Sequence, residues 1–229
     1  MAGLFLWFKN QSSHMTISLH EVVPVPLKEK LLQQASGIWN RDLVFTTPEW
    51  IKIKAPSGTG KTTFIHSLYR LRTDFTGEIK WDDRNISTLT AEELAVFRQQ
   101  KISIVFQDLR LFPHLTAWEN IELNRILQTA YCEKERITEM AQILGIDHIL
   151  QQPAALCSYG EQQRVAIVRA LVQPFEWLIM DEPFSHLDKA NAGKAAALIT
   201  AACKERDAGI IITDLHDDDH FDYSRKLVL

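Results

Sequence analysis

The chain has 229 residues, a formal net charge of -4 and 46% hydrophobic residues. This composition is ordinary for a globular protein, and the weak negative charge argues against a general nucleic-acid-binding surface. The three cysteines, Cys132, Cys157 and Cys203, fit no zinc or disulfide spacing, so we expect a reducing compartment. The sequence contains no run of the roughly 20 apolar residues that a membrane-spanning helix needs.

The first fourteen residues form a segment of their own. They open with the apolar stretch MAGLFLWFKN and precede Met15, where a strand pattern begins. We interpret residues 1–14 as an N-terminal extension, either natural or added by cloning, and place the folded domain at residues 15–229. The apolar stretch is short and is not followed by a small-residue cleavage site, so we expect no secretory signal peptide.

The first part of the domain alternates predicted strands with one helix. Strands are predicted at residues 15–25, twice within LVFTTPEWIKIKA, and at GEIKW; a helix is predicted over TTFIHSLYRL. The strand WIKIK carries Lys52 and Lys54 at alternate positions, whereas a central parallel strand is usually apolar on both faces. We therefore expect one face of this strand to be poorly covered.

From about residue 108 to 172 the pattern becomes helical, after the short apolar strand ISIVF. Ser or Thr followed three residues later by Glu is typical of a capping box at a helix start. Such pairs are Thr90 with Glu93, Thr116 with Glu119, and Ser158 with Glu161. The helix KERITEMAQIL is predicted to end at Gly145. Two more strands, WLIM and GIIIT, flank the helix NAGKAAALITAACKER, so the chain is predicted to be an α/β protein with an inserted helical block.

The segment APSGTGKTT follows a predicted strand and precedes a predicted helix, which is the context of a phosphate-binding loop. Its glycines let backbone N–H groups surround phosphate oxygens. Lys61 is placed to reach the β- and γ-phosphates of a nucleotide, and the Thr62 hydroxyl is placed to bind Mg²⁺. The alternative interpretation is an ordinary glycine-rich turn between a strand and a helix. It is disfavoured because such a turn does not need a lysine and a threonine at these positions. The predicted loop comprises Ala55, Pro56, Ser57, Gly58, Thr59, Gly60, Lys61, Thr62 and Thr63.

Two carboxylates, Asp181 and Glu182, follow the apolar run in the segment WLIMDEP. An acid at the end of a buried strand can hold Mg²⁺, and the next acid can orient and polarise an attacking water. Gln107 follows the strand ISIVF. It is either a structural hydrogen-bonding residue or, beside a magnesium nucleotide site, a metal ligand that senses the γ-phosphate.

Five segments together resemble the ATP-binding cassette (ABC) ATPases, in the order found in that family: APSGTGKTT, VFQD, SYGEQQRVAIVRAL, IMDEPFSHLD and IIITDLH. The resemblance covers about residues 15–229. It implies a P-loop NTPase core sheet, an inserted α-helical subdomain at about residues 108–172 and an N-terminal antiparallel β subdomain. It also implies ATPase activity with ATP and Mg²⁺, with Thr62, Gln107 and Asp181 at the metal and Glu182 as the catalytic base.

The resemblance also identifies Cys157–Glu161 as the signature motif. In a C₂ dimer its helix N-terminus would face the γ-phosphate that the other subunit holds. We therefore expect an ATP-dependent, head-to-tail homodimer or a paired cassette. The usual signature is Leu-Ser-Gly-Gly-Gln, whereas here Tyr159 and Glu161 replace a glycine and the glutamine. Because Ser158 and Gly160 keep the hydroxyl and the close backbone approach, we expect weakened, not abolished, ATP sandwiching.

Two further departures from the family concern the base and the switch histidine. The family usually stacks an aromatic residue on adenine, but the corresponding region, VVPVPLKEK, contains none; Trp39 is either a distant candidate or a core residue. Thr213 is followed by Asp214 and Leu215 before His216. Either His216 reaches the γ-phosphate, which we favour, or Asp214 occupies the switch position and the switch is lost.

Because transport is the majority role of the family, the resemblance implies separate transmembrane permease subunits and a cytoplasmic chain bound at the inner face of the cell membrane. The segment VFQDLRLFPHLTAWENIEL resembles the lipoprotein-release, macrolide-export and cell-division branch of bacterial cassettes. In that branch the helical subdomain forms a groove for a helix of the membrane partner. Residues Leu109–Leu115, with Phe112 and Leu115, form this contact or pack internally.

Two other functions stay open. A non-transport cassette acting in DNA repair or translation usually carries coiled-coil insertions or tandem cassettes, which this sequence does not show, and the net charge disfavours a nucleic-acid partner. A weakly hydrolytic, regulatory cassette is suggested by the altered signature and the shifted histidine. The intact Lys61, Asp181 and Glu182 argue against that second alternative.

Overall fold

The computed structural model describes residues 14–31, 36–54, 56, 58–128, 130–215 and 220–229. The strands found there are β1 (Thr16–Pro24), β2 (Leu43–Thr46), β3 (Trp50–Lys54), β4 (Phe75–Trp81), β5 (Arg84–Asn85), β6 (Ile102–Val105), β7 (Trp177–Asp181), β8 (Gly209–Asp214) and β9 (Arg225–Val228). The helices are α1 (Lys28–Leu31), α2 (Lys61–Leu68), α3 (Ala91–Gln100), α4 (Ala117–Ile126), α5 (Lys134–Ile143), α6 (Tyr159–Leu171) and α7 (Lys189–Arg206). The N-terminal extension up to residue 13, Ala55, Ser57 and His216 lie outside the described residues.

Four strands form an antiparallel sheet in the order β2-β1-β4-β5. In this sheet Ile17 lies opposite both Phe45 and Trp81. All three side chains are fully buried in one apolar cluster, so this face of the sheet covers part of the core. The predicted N-terminal antiparallel β subdomain is therefore confirmed.

The other five strands form a parallel sheet in the order β6-β7-β8-β3-β9. Strand β7 is buried along its whole length. Trp177 and Ile179 pack with the antiparallel sheet, α2 and α3 on one face, whereas Leu178 and Met180 pack with α4 to α7 on the other. Burial on both faces explains the continuous apolar run WLIM and confirms the predicted α/β core. Strand β9, at the edge of this sheet, was not predicted from the sequence.

Lys52 corrects the expectation that one face of β3 is poorly covered. Its side chain is 3% exposed, and its Nζ lies 5.5 Å from the centroid of the Tyr223 ring. Tyr223 comes from the segment just before β9 and lies over this face. A lysine can bury its alkyl stem where its ammonium group meets an aromatic ring. Lys54, at the carboxyl end of the strand, is exposed.

The helix termini follow the predicted capping. In each of α3, α4 and α6 the hydroxyl of the N-cap residue accepts a hydrogen bond from the third helical N–H, and the glutamate at that position bonds back to the N-cap N–H. Gly145, just after α5, has φ 64°, as expected for a glycine that ends a helix. Within the described residues, no helix combines the length and the apolar character needed to cross a membrane.

The close packing of Gly209, at the start of β8, against Trp177 leads to a prediction about stability. A Cβ on Gly209 would lie 2.4 Å from Cζ3 of Trp177, a fully buried ring whose Nε1 donates to the Met15 carbonyl at 3.1 Å. Because that ring is fixed, we expect Gly209→Ala to lower the free energy of unfolding by about 1–3 kcal/mol. Urea denaturation followed by circular dichroism measures this change.

Gly193, inside α7, provides the matched control. A Cβ there meets no described atom within 4 Å, so Gly193→Ala is expected to leave stability unchanged or to raise it by up to about 1 kcal/mol. Equal stabilities of the Gly209→Ala and wild-type proteins would show that the Trp177 ring moves to accommodate the added methyl group.

Candidate active site

The carboxyl ends of β3, β6, β7 and β8 meet at one edge of the parallel sheet, where ligands of open α/β sheets bind. A cavity of about 330 Å³ opens at this edge. Its lining residues are Thr62, His66, Gln107, Asp108, Tyr159, Asp181 and His186. The structure therefore brings together Thr62, Gln107 and Asp181, the three residues proposed from the sequence as metal ligands.

Helix α2 begins at Lys61, directly after the predicted phosphate-binding loop. Its N-cap is Gly60, with φ 105°, a conformation that side chains disfavour. A Cβ there would also lie only 2.6 Å from Cδ1 of Leu27. Because glycine has no side-chain oxygen to cap the helix, the first-turn N–H groups can serve an anion instead.

The side chains of Lys61 and Glu182 form a buried ion pair, with 3.3 Å between Nζ and Oε1. Lys61 also donates to the Pro56 carbonyl at 3.4 Å. Glu182 has φ 48°, a left-handed conformation that is uncommon for residues other than glycine. Its N–H donates to the Thr213 carbonyl at 3.1 Å. The predicted base and the predicted phosphate-binding lysine are thus held against each other, and each neutralises the other's buried charge.

Asp181 is 1% exposed, and its two carboxylate oxygens differ in their contacts with the described residues. Oδ1 accepts a hydrogen bond from the Thr213 hydroxyl at 2.6 Å. Oδ2 is buried without a hydrogen-bond partner among the described residues. A buried carboxylate oxygen in this condition is costly and fits a bound cation. Across the cavity, the Thr62 hydroxyl donates to Oε1 of Gln107 at 3.2 Å. These oxygen donors are the kind that Mg²⁺ prefers.

Sequence reasoning missed Thr213 and Gln163 as site residues. Thr213 lies opposite Asp181 in the register between β7 and β8. The sequence signal for it was a hydroxyl residue at the end of the strand GIIIT. Gln163 is 1% exposed; its Nε2 donates to the Glu182 carbonyl and its Oε1 accepts from the His186 N–H. It connects α6 to the segment that follows β7.

The loop after Gln107 is also fixed by a residue that sequence reasoning missed. Leu109 and Arg110 both have positive φ, 58° and 47°. Their carbonyls accept hydrogen bonds from the Arg169 guanidinium at 2.5 and 2.7 Å. Burial lowers the pKa of Arg169 to about 10, so it remains charged at neutral pH. Burial and the nearby Arg110 also lower the pKa of His66 in the cavity wall.

The signature residues Ser158, Gly160 and Glu161 are not among the residues lining the cavity of their own chain. The Ser158 hydroxyl and N–H both donate to Oε2 of Glu161 at 2.7 Å, and these bonds lower the pKa of the glutamate. His148 lies 3.6 Å from the other carboxylate oxygen. The extra negative charge of the altered signature is therefore engaged within the chain.

Residues 25–27 and α1, which contain no aromatic residue, lie next to the predicted phosphate-binding loop. Leu27 approaches Gly60, and Lys30 donates to the Gly58 carbonyl at 3.0 Å. Trp39 is 3% exposed and packs edge-on against Phe64 at 5.7 Å between ring centroids. Of the two interpretations of Trp39, the structure supports the core residue.

The switch position is described only in part. Asp214 is the last residue of β8, in register with Lys54 of β3. His216 lies outside the described residues, as do Ala55 and Ser57 of the phosphate-binding loop.

A comparison with protein families matches residues 40–185, more than half of the chain, to the ABC transporter family. The glucose import ATP-binding protein GlcV of Saccharolobus solfataricus is 40% identical over 64% of this chain, and the match spans 42% of GlcV. The lipoprotein-releasing system ATP-binding protein LolD 2 of Chlorobaculum tepidum is 33% identical over 77% of this chain and 74% of that protein.

Among solved structures, the chain is similar to the dimeric structure of MJ0796, described as a bacterial ABC transporter cassette. The TM-score is 0.73 at 27% identity, covering 86% of this chain and 87% of the other. A second structure of MJ0796, in a dimeric post-hydrolysis state bound to ADP and Pi, has a TM-score of 0.72 at 28% identity and covers 88% of each chain.

Thr213 provides a test of whether Asp181 takes part in metal binding. Thr213→Val removes the hydroxyl that holds Asp181, and such supporting bonds typically contribute about 10–100-fold to metal affinity. We therefore expect Thr213→Val to raise the Mg²⁺ concentration for half-maximal nucleotide binding by at least about tenfold. Thr213→Ser keeps the hydroxyl and is expected to stay close to wild type. A valine variant with wild-type Mg²⁺ dependence would rule out this role.

Proposed function

The chain belongs to the ABC transporter family as an ATP-hydrolysing cassette, and we propose that it binds Mg²⁺–ATP, pairs with a second cassette and drives a separate transmembrane subunit. In this proposal it works at the inner face of the cell membrane. ATP binding assembles the pair, and ATP hydrolysis releases it. This alternation transmits mechanical work to the membrane subunit.

One observation carries the paired arrangement. Lys61, Asp181 and Glu182 lie at the carboxyl edge of the parallel sheet. Of the signature residues, Tyr159 lines the cavity there, whereas Ser158, Gly160 and Glu161 do not. We infer that these three residues serve the ATP of another chain. The similarity to the dimeric MJ0796 cassette supports the same arrangement, which is a two-fold dimer with both sites shared.

In hydrolysis, the buried pair of Lys61 and Glu182 has to separate. The γ-phosphate competes for the Lys61 ammonium, which now lies 3.3 Å from the glutamate. Once released from Lys61, Glu182 can orient the attacking water toward the phosphorus and accept a proton from that water. The backbone N–H groups at the start of α2 bind the phosphate oxygens.

The proposed magnesium site consists of Thr62, Gln107 and Asp181. The buried Oδ2 of Asp181, which has no partner among the described residues, supports a cation at this place. When bound, Mg²⁺ neutralises charge that develops on the phosphates. Thr213 holds the Asp181 carboxylate in orientation through its hydroxyl.

We propose that a helix of the membrane subunit contacts the surface around Phe112. Phe112 is 56% exposed, and Leu156 is 70% exposed on the adjacent segment, where the Ala155 N–H donates to the Pro113 carbonyl at 3.0 Å. The buried Asn120 fixes this loop through bonds to the backbone of Phe112 at 2.7 and 3.0 Å. Leu109, part of the predicted contact, is 2% exposed and therefore belongs to the core.

A weakly hydrolytic, regulatory cassette is the second candidate, and one observation favours it. The proton of the Ser158 hydroxyl is donated to Glu161 at 2.7 Å, so the signature serine has an internal acceptor that competes with a phosphate. The rate of ATP turnover distinguishes this candidate from the first.

Steady-state ATPase activity of the purified chain tests the proposal. Removing a general base typically costs a factor of about 10²–10⁴, so we expect Glu182→Gln to be at least about a hundredfold slower than wild type. Lys61→Ala is expected to be inactive because it cannot hold the phosphates. We propose His216 as the switch, since Asp214 is still within β8, and expect His216→Ala to lose turnover while Asp214→Ala keeps it.

Wild-type protein as silent as Lys61→Ala, both alone and with its membrane subunit, would favour the regulatory cassette. Activity of the chain that survives Lys61→Ala would contradict the assignment of the site itself.

A further inference from the structure

Tyr159 makes two contacts that connect the start of α6 to two exposed loops of the same chain. Its hydroxyl donates to the backbone carbonyl of Gln107 at 3.3 Å. Its ring meets the His186 ring edge-on, with 4.2 Å between the centroids. Three segments that are far apart in sequence, namely the start of α6, the loop after β6 and the loop after β7, thus meet at one side chain.

These contacts lead directly to the proposed metal ligands. Gln107, which accepts from Tyr159 through its carbonyl, uses its side chain to accept from the Thr62 hydroxyl at 3.2 Å. Tyr159 and Gln107 also line the same cavity as Asp181. The residue whose carbonyl accepts the Tyr159 hydrogen bond therefore also carries the amide oxygen that faces Thr62.

We propose that Tyr159 is a positioning residue, which fixes the Gln107 backbone so that the glutamine side chain stays beside Thr62 for Mg²⁺. This inference rests on the proposed magnesium site. The tyrosine that replaces a glycine of the usual signature then acts within its own chain, in addition to any effect on the phosphate of a partner cassette.

The hydroxyl can be removed without disturbing the helix start. The capping box of α6 is formed by Ser158 and Glu161 and does not involve the Tyr159 side chain. Tyr159 is 45% exposed, so Tyr159→Phe leaves no deeply buried polar group behind. Tyr159→Phe keeps the ring that contacts His186, which isolates the hydrogen bond to Gln107.

The experiment measures binding of a fluorescent ATP analogue to the full chain while Mg²⁺ is titrated, with a parallel measurement in EDTA. A neutral hydrogen bond contributes enough to change an equilibrium by about three- to tenfold. We therefore expect Tyr159→Phe to raise the Mg²⁺ concentration for half-maximal binding by about three- to tenfold. Binding in EDTA and the melting temperature are expected to match wild type.

Tyr131→Phe is the matched control, because Tyr131 is 46% exposed and its ring, which the substitution keeps, contacts Arg206. It should reproduce the wild-type titration. Unchanged Mg²⁺ dependence in Tyr159→Phe would overturn the positioning role while leaving the metal site intact. An equal loss of binding in EDTA would also overturn it, since the tyrosine would then act on the nucleotide. Wild-type binding that ignores Mg²⁺ would instead overturn the proposed metal site, and the role of Tyr159 with it.

Discussion

The register between β7 and β8 is the constraint on which the site depends. It sets Asp181 opposite Thr213, so that the threonine hydroxyl holds one carboxylate oxygen, while the other is buried with no hydrogen-bond partner among the described residues. The same pairing brings the Glu182 N–H to the Thr213 carbonyl. Because a slip of one residue would turn every side chain of the strand to the opposite face, the two buried cores on either side of the sheet enforce this register.

The N-termini of α2 and α6 differ in how their first N–H groups are satisfied. Helix α2 starts at a glycine and offers its first N–H groups to an anion. Helix α6 starts at a capping box, in which Ser158 and Glu161 satisfy each other. A phosphate that reaches the second helix has to compete with the glutamate, whereas a phosphate at the first does not. From this difference we expect stronger phosphate binding at the loop than at the signature.

Local patterns in the sequence predicted much of this structure. The capping boxes, the apolar run of β7 and the loop before α2 each depend on residues within a few positions of one another. The ion pair of Lys61 with Glu182, the bond of Thr213 to Asp181 and the anchoring of the 109–110 loop by Arg169 could not be predicted in this way. Each joins residues from separate elements and depends on strand order and register, which no short segment encodes. Lys52 was misjudged for the same reason, because the ring that covers it comes from the end of the chain.

We propose that one chain holds half of each ATP site and that a second chain completes it. Light scattering of the Glu182→Gln protein with saturating Mg²⁺–ATP gives the mass of the particle that forms. Since binding should survive while the water stays unactivated, we expect a dimer with ATP and a monomer without it. Adding Ser158→Asp, which keeps a good N-cap residue but places a second carboxylate at the signature, should return the protein to a monomer. A Glu182→Gln protein that binds ATP and remains monomeric would show that two chains do not share their ATP sites.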